Sequence, residues 1–284
     1  MEDLTPAPPI YCKIADRMPL RAASSTVAIV TYRDGRLWQC GTGTLVRFAA
    51  LHFLITAGHV YRETKRREQP LFLATGAEDS RICTLGGDIT ITNEKQRGGD
   101  DSFDLAMWHL DDATLSELSA EKRFLDQTDL WFGDEKDAGA YFVYGFPEVW
   151  AQAENSNRLL VIQPLSFTTH PPDRSFKSLP NYNPRYHLVL ENDQEWVRGT
   201  DGKPISFPSR LQGISGASVW KTFSDNHDMD SWHESRAKVV AVETCVYLSS
   251  HLMRATRWAS VLTMLKEVYP QLGPSLGLLL PRHC

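Results

Sequence analysis

Short β-rich segments broken by turns run through most of this 284-residue chain, and no other feature narrows its fold as much. Thr26-Val27-Ala28-Ile29-Val30-Thr31-Tyr32 is rich in β-branched residues, and Arg33-Asp34-Gly35-Arg36 then supplies a turn. Leu37-Trp38-Gln39-Cys40-Gly41-Thr42-Gly43-Thr44-Leu45-Val46 resumes as a strand whose glycines permit a bulge or a close backbone approach. His52-Phe53-Leu54-Ile55-Thr56-Ala57 is a third strand. Further strands are predicted around residues 71–73, 81–85, 89–91 and 104–110. They resume at 140–144, 159–162, 187–190, 218–220 and 238–242. This pattern predicts an all-β barrel or sandwich. Three departures from it are expected: an extended arm over the first 17 residues, which hold Pro6, Pro8 and Pro9; a short polar helical turn over 60–69; and a polar, partly helical connection over 112–129. Trp258, Val261, Leu262, Leu265, Val268 and Tyr269 recur at helical spacing, predicting a C-terminal helix with one packing face.

Composition excludes several function classes. Apolar residues make up 42% and charged residues 23%, ordinary values for a water-soluble globular protein with a sizeable core. A formal net charge of -5 argues against general nucleic-acid binding, and the basic run Lys65-Arg66-Arg67 sits beside Glu63 and Glu68 as a solvated face. Apolar runs such as Val27-Ala28-Ile29-Val30 fall far short of the ~20 residues that span a bilayer. The first twenty residues hold acids and prolines and no continuous apolar stretch, so no secretory signal is expected. The cysteines Cys12, Cys40, Cys83, Cys245 and Cys284 are odd in number and scattered, which argues against a disulfide scaffold or a zinc finger. A reducing, cytoplasmic setting is the simplest fit. His227, Asp228, Asp230, His233 and Glu234 crowd one loop without the ligand spacing of a zinc or calcium site.

Three segments carry chemistry, in the order His, Asp, Ser. They are Thr56-Ala57-Gly58-His59, Phe103-Asp104-Leu105-Ala106 and Gly213-Ile214-Ser215-Gly216-Ala217. A serine hydroxyl is a poor nucleophile until a base takes its proton. Its attack on a carbonyl builds an oxyanion that needs positioned N–H donors. A glycine-rich turn serves both needs, exposing Oγ of Ser215 and offering the N–H groups of Gly213 and Ser215. The α/β-hydrolase elbow fits less well. Its second glycine falls two places after the serine, its chain order is Ser, acid, His, and its alternating βα units are missing here. Of the nine histidines only His59 has such flanks. Asp104, not Asp100 or Asp101, has the Phe-Asp-Leu-Ala context. Cys245, near the end of an apolar strand, reads as a buried structural thiol.

With those residues in place, the chain resembles the trypsin-like (chymotrypsin-fold) serine peptidases over roughly residues 20 to 270. Thr56-Ala57-Gly58-His59 is similar to that family's T-A-x-H segment, and Gly41-Thr42-Gly43-Thr44-Leu45-Val46 to its preceding G-x-G-x-L-[VI] strand. Phe103-Asp104-Leu105-Ala106 resembles its D-[IL]-A segment, and Gly213-Ile214-Ser215-Gly216-Ala217 its G-x-S-G-[GA] segment. Gly145-Phe146-Pro147 resembles a G-[YF]-P of many bacterial members. The resemblance implies two six-stranded antiparallel β-barrels with the active site between them. The expected division is an arm (1–19), a first barrel (20–111), a connection (112–137), a second barrel (138–252) and a C-terminal helix and tail (253–284). It implies His59 as general base and then acid, Asp104 as its orienting partner, and Ser215 as the nucleophile that forms an acyl-enzyme. No metal or cofactor is required.

The departures from the family are equally informative. Ile214 precedes the nucleophile where secreted members carry an Asp that pairs with a newly cut N-terminus, so activation by N-terminal cleavage is not expected. Val60 stands where the usual disulfide partner of Cys40 would lie. Ser209, Arg210, Glu243, Thr244, Cys245 and Val246 fall where the family lines its specificity pocket and pairs with extended substrate. Glu243 in that pocket would favour a basic P1 residue and Arg210 an acidic one, and facing each other they would neutralise. Thr244 is expected to hydrogen-bond Asp104. The expected partners are a protein or peptide substrate and a regulatory or sensor protein, with the chain as an effector in bacterial defence. Ala217 and Ser218, which replace the family's common Gly and Pro, keep open a second reading as a catalytically silent binding or regulatory module.

Overall fold

The computed structural model describes residues 9–75, 82–92, 103–133, 139–153, 160–173, 176, 179–192, 197–198, 207–208, 210–224 and 230–277. The chain enters as a helix, α1 (Pro9–Ala23), and not as an extended arm. Ile10, Ile14, Met18 and Ala22 recur every four residues and are all buried, which is the stripe a helix needs to dock. A proline is also tolerated at the first helical position, because its missing N–H would have had no partner there.

The first sheet is built from β1 (Thr26–Arg33), β2 (Arg36–Phe48), β3 (Leu51–Ala57), β4 (Leu71–Ala74), β5 (Ile82–Thr84), β6 (Gly87–Ile91) and β7 (Leu105–Leu110), with α2 (Gly58–Arg66) after β3. Its strand order is β5-β4-β1-β2-β3-β7-β6, every pair antiparallel. A helix, α3 (Asp112–Ser119), opens the connection to the second half. The Asp111 carboxylate caps it by accepting from the Thr114 N–H. The connection touches both sheets, with Leu125 bridging to Val46 of β2.

The second sheet takes β8 (Tyr141–Gly145), then, past a small hairpin of β9 (Ala151–Ala153) and β10 (Leu160–Ile162), β11 (Leu165–Thr169), β12 (His187–Glu191), β13 (Val197–Arg198), β14 (Ser218–Lys221), β15 (Lys238–Tyr247) and β16 (Leu252–Arg257). Its order is β12-β16-β15-β14-β8-β11-β13. Leu130 of the connection bridges to Val239 of β15. The chain then forms α4 (Trp258–Val268) and α5 (Gly273–Gly277), so the C-terminal helix lies where the apolar spacing placed it.

Each sheet therefore has seven described strands, not six, and runs from edge to edge as a curled half-barrel. The extra strand of the first sheet arises because residues 71–91 break into three short pieces. Two of them extend the β1 edge, and the third pairs with β7 on the opposite edge. In the second sheet the two-residue β13 extends β11.

Three apolar cores follow from strand alternation. Val27 and Ile29 of β1 point into the first sheet's own core with Leu45, Leu54 and Leu73. Ala28 and Val30 point the other way, into a core shared with α1, α4 and the second sheet. Tyr141, Val143, Val219 and Ala241 fill the second sheet's interior. Burial on both faces explains why β1 reads as an unbroken apolar run instead of an alternating one. Two arginines fix α1 and the connection to one carboxylate: Arg21 lies 3.2 Å and Arg123 2.6 Å from Asp129. Shortening the helix stripe tests how much the shared core depends on α1. Ile14→Ala is expected to lower the unfolding free energy by about 2 to 5 kcal/mol in urea titration, whereas Leu20→Ala, 83% exposed on the same helix, changes it by under ~0.5 kcal/mol.

Candidate active site

The pairing register of the first sheet brings His59 and Asp104 together. Ala57 at the end of β3 pairs with Leu105 at the start of β7. His59 follows the first of these by two residues, and Asp104 precedes the second by one. Asp104 adopts a left-handed backbone, φ 48°, which short polar side chains tolerate better than most. Its carbonyl accepts the Gly58 N–H at 2.7 Å, and Oδ1 accepts the His59 N–H at 2.9 Å. Oδ2 lies 2.7 Å from His59 Nδ1, an arrangement in which Nδ1–H donates and Nε2 is left as the basic nitrogen. Arg62, one turn along α2, brings Nη2 onto Oδ1 of the same carboxylate.

Burial alone would pull the His59 imidazole down. The hydrogen bond and charge of Asp104, with Glu243 and Glu63 behind it, hold it above the ordinary histidine value instead. Asp104 is the converse. Burial would push its carboxyl up, but the bond and charge of His59 and the charge of Arg62 keep it below the usual aspartate value.

The turn that carries Ser215 belongs to the second sheet and is clamped to the first. The Thr42 N–H of β2 donates to the Ser215 carbonyl at 2.9 Å. The Gly213 carbonyl accepts from Thr42 Oγ1 at 2.9 Å and from Gln39 Nε2 at 3.0 Å. Thr42 Oγ1 also accepts the Phe146 N–H at 3.0 Å, and Gln39 Nε2 reaches the Phe146 carbonyl at 2.6 Å. The turn closes on itself through Ile214 N–H to the Leu211 carbonyl and Ala217 N–H to the Ile214 carbonyl. Gly213 and Gly216 both have positive φ, 89° and 96°, which only glycine adopts at low cost. Ile214 is fully buried in the second sheet's core. Among the described residues, the N–H groups of Gly213 and Ser215 have no acceptor. No hydrogen bond joins Ser215 Oγ to His59 there either, a looseness common before substrate binds.

His59, Gly213 and Ser215 line one cavity of roughly 180 Å³, together with Arg33 and Trp38 of the β1–β2 hairpin and Glu63 of α2. The expected pocket residues are placed differently. Ser209 lies outside the described residues. Arg210 is exposed, and its charge acts on Glu148. Glu243 is fully buried, so it neither opens onto a pocket nor pairs with Arg210. A carboxyl on the inward face of a central strand, behind the site, does not reach a surface cleft. Thr244 does not bond Asp104. It lies at a bulge in β15, and its hydroxyl turns to the Arg254 carbonyl at 3.4 Å. The hydroxyl of Thr256 on β16 donates to the carbonyl of Phe103, the residue before Asp104, at 2.7 Å. Cys245 and Val246 are half-buried on β15, beyond the last residue paired with β14. Arg210, Glu243, Thr244, Cys245 and Val246 do not line the cavity beside Ser215.

Arg62, Gln39 and Thr42 were not marked by the sequence reading. Arg62 had a signal, since it stands three places after His59 on a helix and so shares its face. Gln39 and Thr42 had none, because their partners are more than 100 residues away. Val60 packs against Gly41, where the absent disulfide would have run, and Cys40, Cys83 and Cys245 form no disulfide. His227 and Asp228 lie outside the described residues, among which no group of three potential metal ligands occurs. No described helix is long and apolar enough to cross a membrane.

No family model and no curated protein matches the chain. Among solved structures it is similar to an inactivated protease paralogue of the scabies mite, with 13% identity and a TM-score of 0.53, covering 89% of this chain and 96% of that one. A protease of M. tuberculosis in its active form (13%, 0.45, covering 95% and 92%) and the protease Anisep of Arthrobacter nicotinovorans (15%, 0.46, covering 83% and 90%) align less closely and carry no weight. The first likeness shows the fold, a chymotrypsin-like double barrel, and nothing about activity.

The seam between the halves has a direct test. A Cβ on Gly216 would meet the Thr42 carbonyl oxygen at 1.9 Å, whereas one on Gly35, also at positive φ, meets nothing within 4 Å. Gly35→Ala is expected to cost about 1 to 2 kcal/mol of stability from backbone strain alone. Gly216→Ala should cost at least twice that in the same denaturation assay, because β2 must also move.

Proposed function

We propose that this chain is a serine endopeptidase, hydrolysing peptide bonds with Ser215 as nucleophile, His59 as general base and acid, and Asp104 as the group that orients and charges the imidazole. The observation that carries this reading is the 2.7 Å contact of His59 Nδ1 with Asp104 Oδ2, its imidazole facing the same cavity as Ser215. In the proposed cycle His59 Nε2 takes the Ser215 proton as Oγ adds to the substrate carbonyl. The oxyanion receives the unspent N–H groups of Gly213 and Ser215. His59 then gives its proton to the leaving amine, and water hydrolyses the acyl-enzyme by the reverse transfers. The N–H and C=O groups of residues 244–246, past the last pair with β14, suit an extended peptide added as a strand.

The burial of Ile214 supports a turn set by folding alone, with no N-terminal ion pair. Control would then come from a partner or from access to the site, in keeping with an effector protein. Free cysteines suit the reducing bacterial cytoplasm as its setting.

Labelling with a fluorophosphonate probe tests the chemistry. The intact chain should label at Ser215, Ser215→Ala should abolish labelling, and His59→Ala should slow it by several orders of magnitude, since loss of the base in a triad lowers turnover by about 10⁶. The base must be neutral, so the rate should climb as pH rises through the His59 ionisation, which Asp104 places above the ordinary imidazole value. No labelling at any pH would instead favour a double-barrel binding or regulatory module. Trimming residues 1–8 should leave the labelling rate unchanged, and labelling that appears only after trimming would overturn the pre-set turn.

A further inference from the structure

Glu243 is a buried acid that the proposed cycle does not use. It has no exposure to solvent, and neither carboxyl oxygen meets a donor among the described residues. Its backbone is tied to the nucleophile turn in both directions. The Glu243 carbonyl accepts the Gly216 N–H at 2.8 Å, and the Glu243 N–H donates to the Ala217 carbonyl at 2.9 Å. It pairs with Ala255 of β16 as the last residue before the bulge at Thr244.

The charges that act on Glu243 come from three elements: His59 of α2, Asp104 of the turn before β7, and Arg254 of β16. Cys245 and Tyr247 on its own strand also sense it. The nearby cations have other partners. Arg62 is on Asp104, and Arg254 donates through Nη1 to the carbonyls of Asn181 at 2.8 Å and Pro180 at 3.5 Å. A carboxylate left there without a donor is far more costly than a neutral carboxyl.

We infer that Glu243 is a positioning residue for the His59–Asp104 pair: as a neutral acid it leaves the imidazole free to accept a proton, and as a carboxylate it holds the imidazolium. The inference takes its kinetic consequence from the peptidase reading. Burial pushes the Glu243 carboxyl up to about 7, against the pull of His59 and Arg254 and with a push from Asp104. Glu243 in turn is one of the charges that raise His59. The two groups therefore titrate as a coupled pair. When the doubly protonated pair loses one proton, either Glu243 stays neutral and His59 becomes a base, or Glu243 ionises and His59 stays charged. Only the first form can activate Ser215.

Glu243→Gln keeps the shape and removes the ionisation. In a Ser215→Ala background, the His59 ring titration followed by NMR should shift to lower pH by about one unit and become a single transition. With Ser215 restored, fluorophosphonate labelling below the midpoint should be about tenfold faster in Glu243→Gln, with the alkaline plateau within a few-fold of the parent. A merely structural role would lower the rate equally at every pH. An unchanged His59 midpoint overturns the inference. Should the variant fail to fold, the ¹³C titration of the Glu243 carboxyl in the unsubstituted chain decides: a midpoint above 6 supports the inference, and one near the ordinary glutamate value overturns it. Absence of labelling in the parent chain defeats the peptidase reading alone, because both NMR titrations are read without catalysis.

Discussion

The close approach of β2 to the Ser215 turn is the contact on which the rest of the site depends. Thr42 sits at its centre, donating its backbone N–H to the Ser215 carbonyl and its hydroxyl to the Gly213 carbonyl while accepting the Phe146 N–H. One residue of the first half thus sets the turn and the exit of β8 in the second. The approach is close because Gly216 has no Cβ to meet the Thr42 carbonyl. Buried backbone groups that lack partners are costly, so a slip along this seam would orphan several at once. His59 arrives from the first sheet and Ser215 from the second. The seam is therefore what fixes the imidazole relative to the hydroxyl.

The charges around His59 form a second layer of constraint. Asp104 receives the imidazole Nδ1, the His59 backbone N–H and Arg62, so its carboxylate is well satisfied despite its burial. Such a carboxylate stays ionised and stabilises an imidazolium strongly. That favours charge on His59 during a reaction and opposes the neutral base that a reaction needs at its start. Glu243 stands on the other side of this balance. Its burial without donors favours a proton on the carboxyl, and a protonated Glu243 adds nothing to the pull on His59. Arg62 has a related effect, because by sharing the Asp104 charge it leaves less of it for the imidazole.

The parts of this molecule that were legible in the sequence are those with local signals. Strand runs such as residues 26–32, the helical stripe of residues 258–269, and the left and right flanks of His59, Asp104 and Ser215 all sit within a few residues of the feature they announce. The stripe Ile10, Ile14, Met18 and Ala22 is equally local, but Pro6, Pro8 and Pro9 suggest an extended arm, although a proline at the first helical position does not oppose a helix. β11 and β16 were passed over because Ser166, Thr168, Thr169, Arg254 and Thr256 dilute their apolar pattern. Those polar side chains are buried all the same, and Thr169, Arg254 and Thr256 take partners from distant chain. Register was the main obstacle at the site. Whether Glu243 or its neighbour faces the cleft depends on a bulge in β15, and one residue of slip exchanges the two faces of a strand.

Ile214 bears on how activity would be controlled on the peptidase reading. Disordering the Ser215 turn would return a buried isoleucine to water, at about 2 to 3 kcal/mol. It would also break the Thr42–Ser215 and Thr42–Gly213 hydrogen bonds, at about 1 kcal/mol each. These contacts oppose the ~1 to 2 kcal/mol of backbone entropy that each ordered turn residue costs. A ligand that orders or disorders this turn must therefore bind one of its two forms more tightly than the other. Blocking the cavity that the β1–β2 hairpin and the turn line together needs no such preference, since Arg33, Trp38 and Glu63 share its lining with Ser215. Control through access to Ser215 is therefore the less demanding route for a turn held by an apolar anchor.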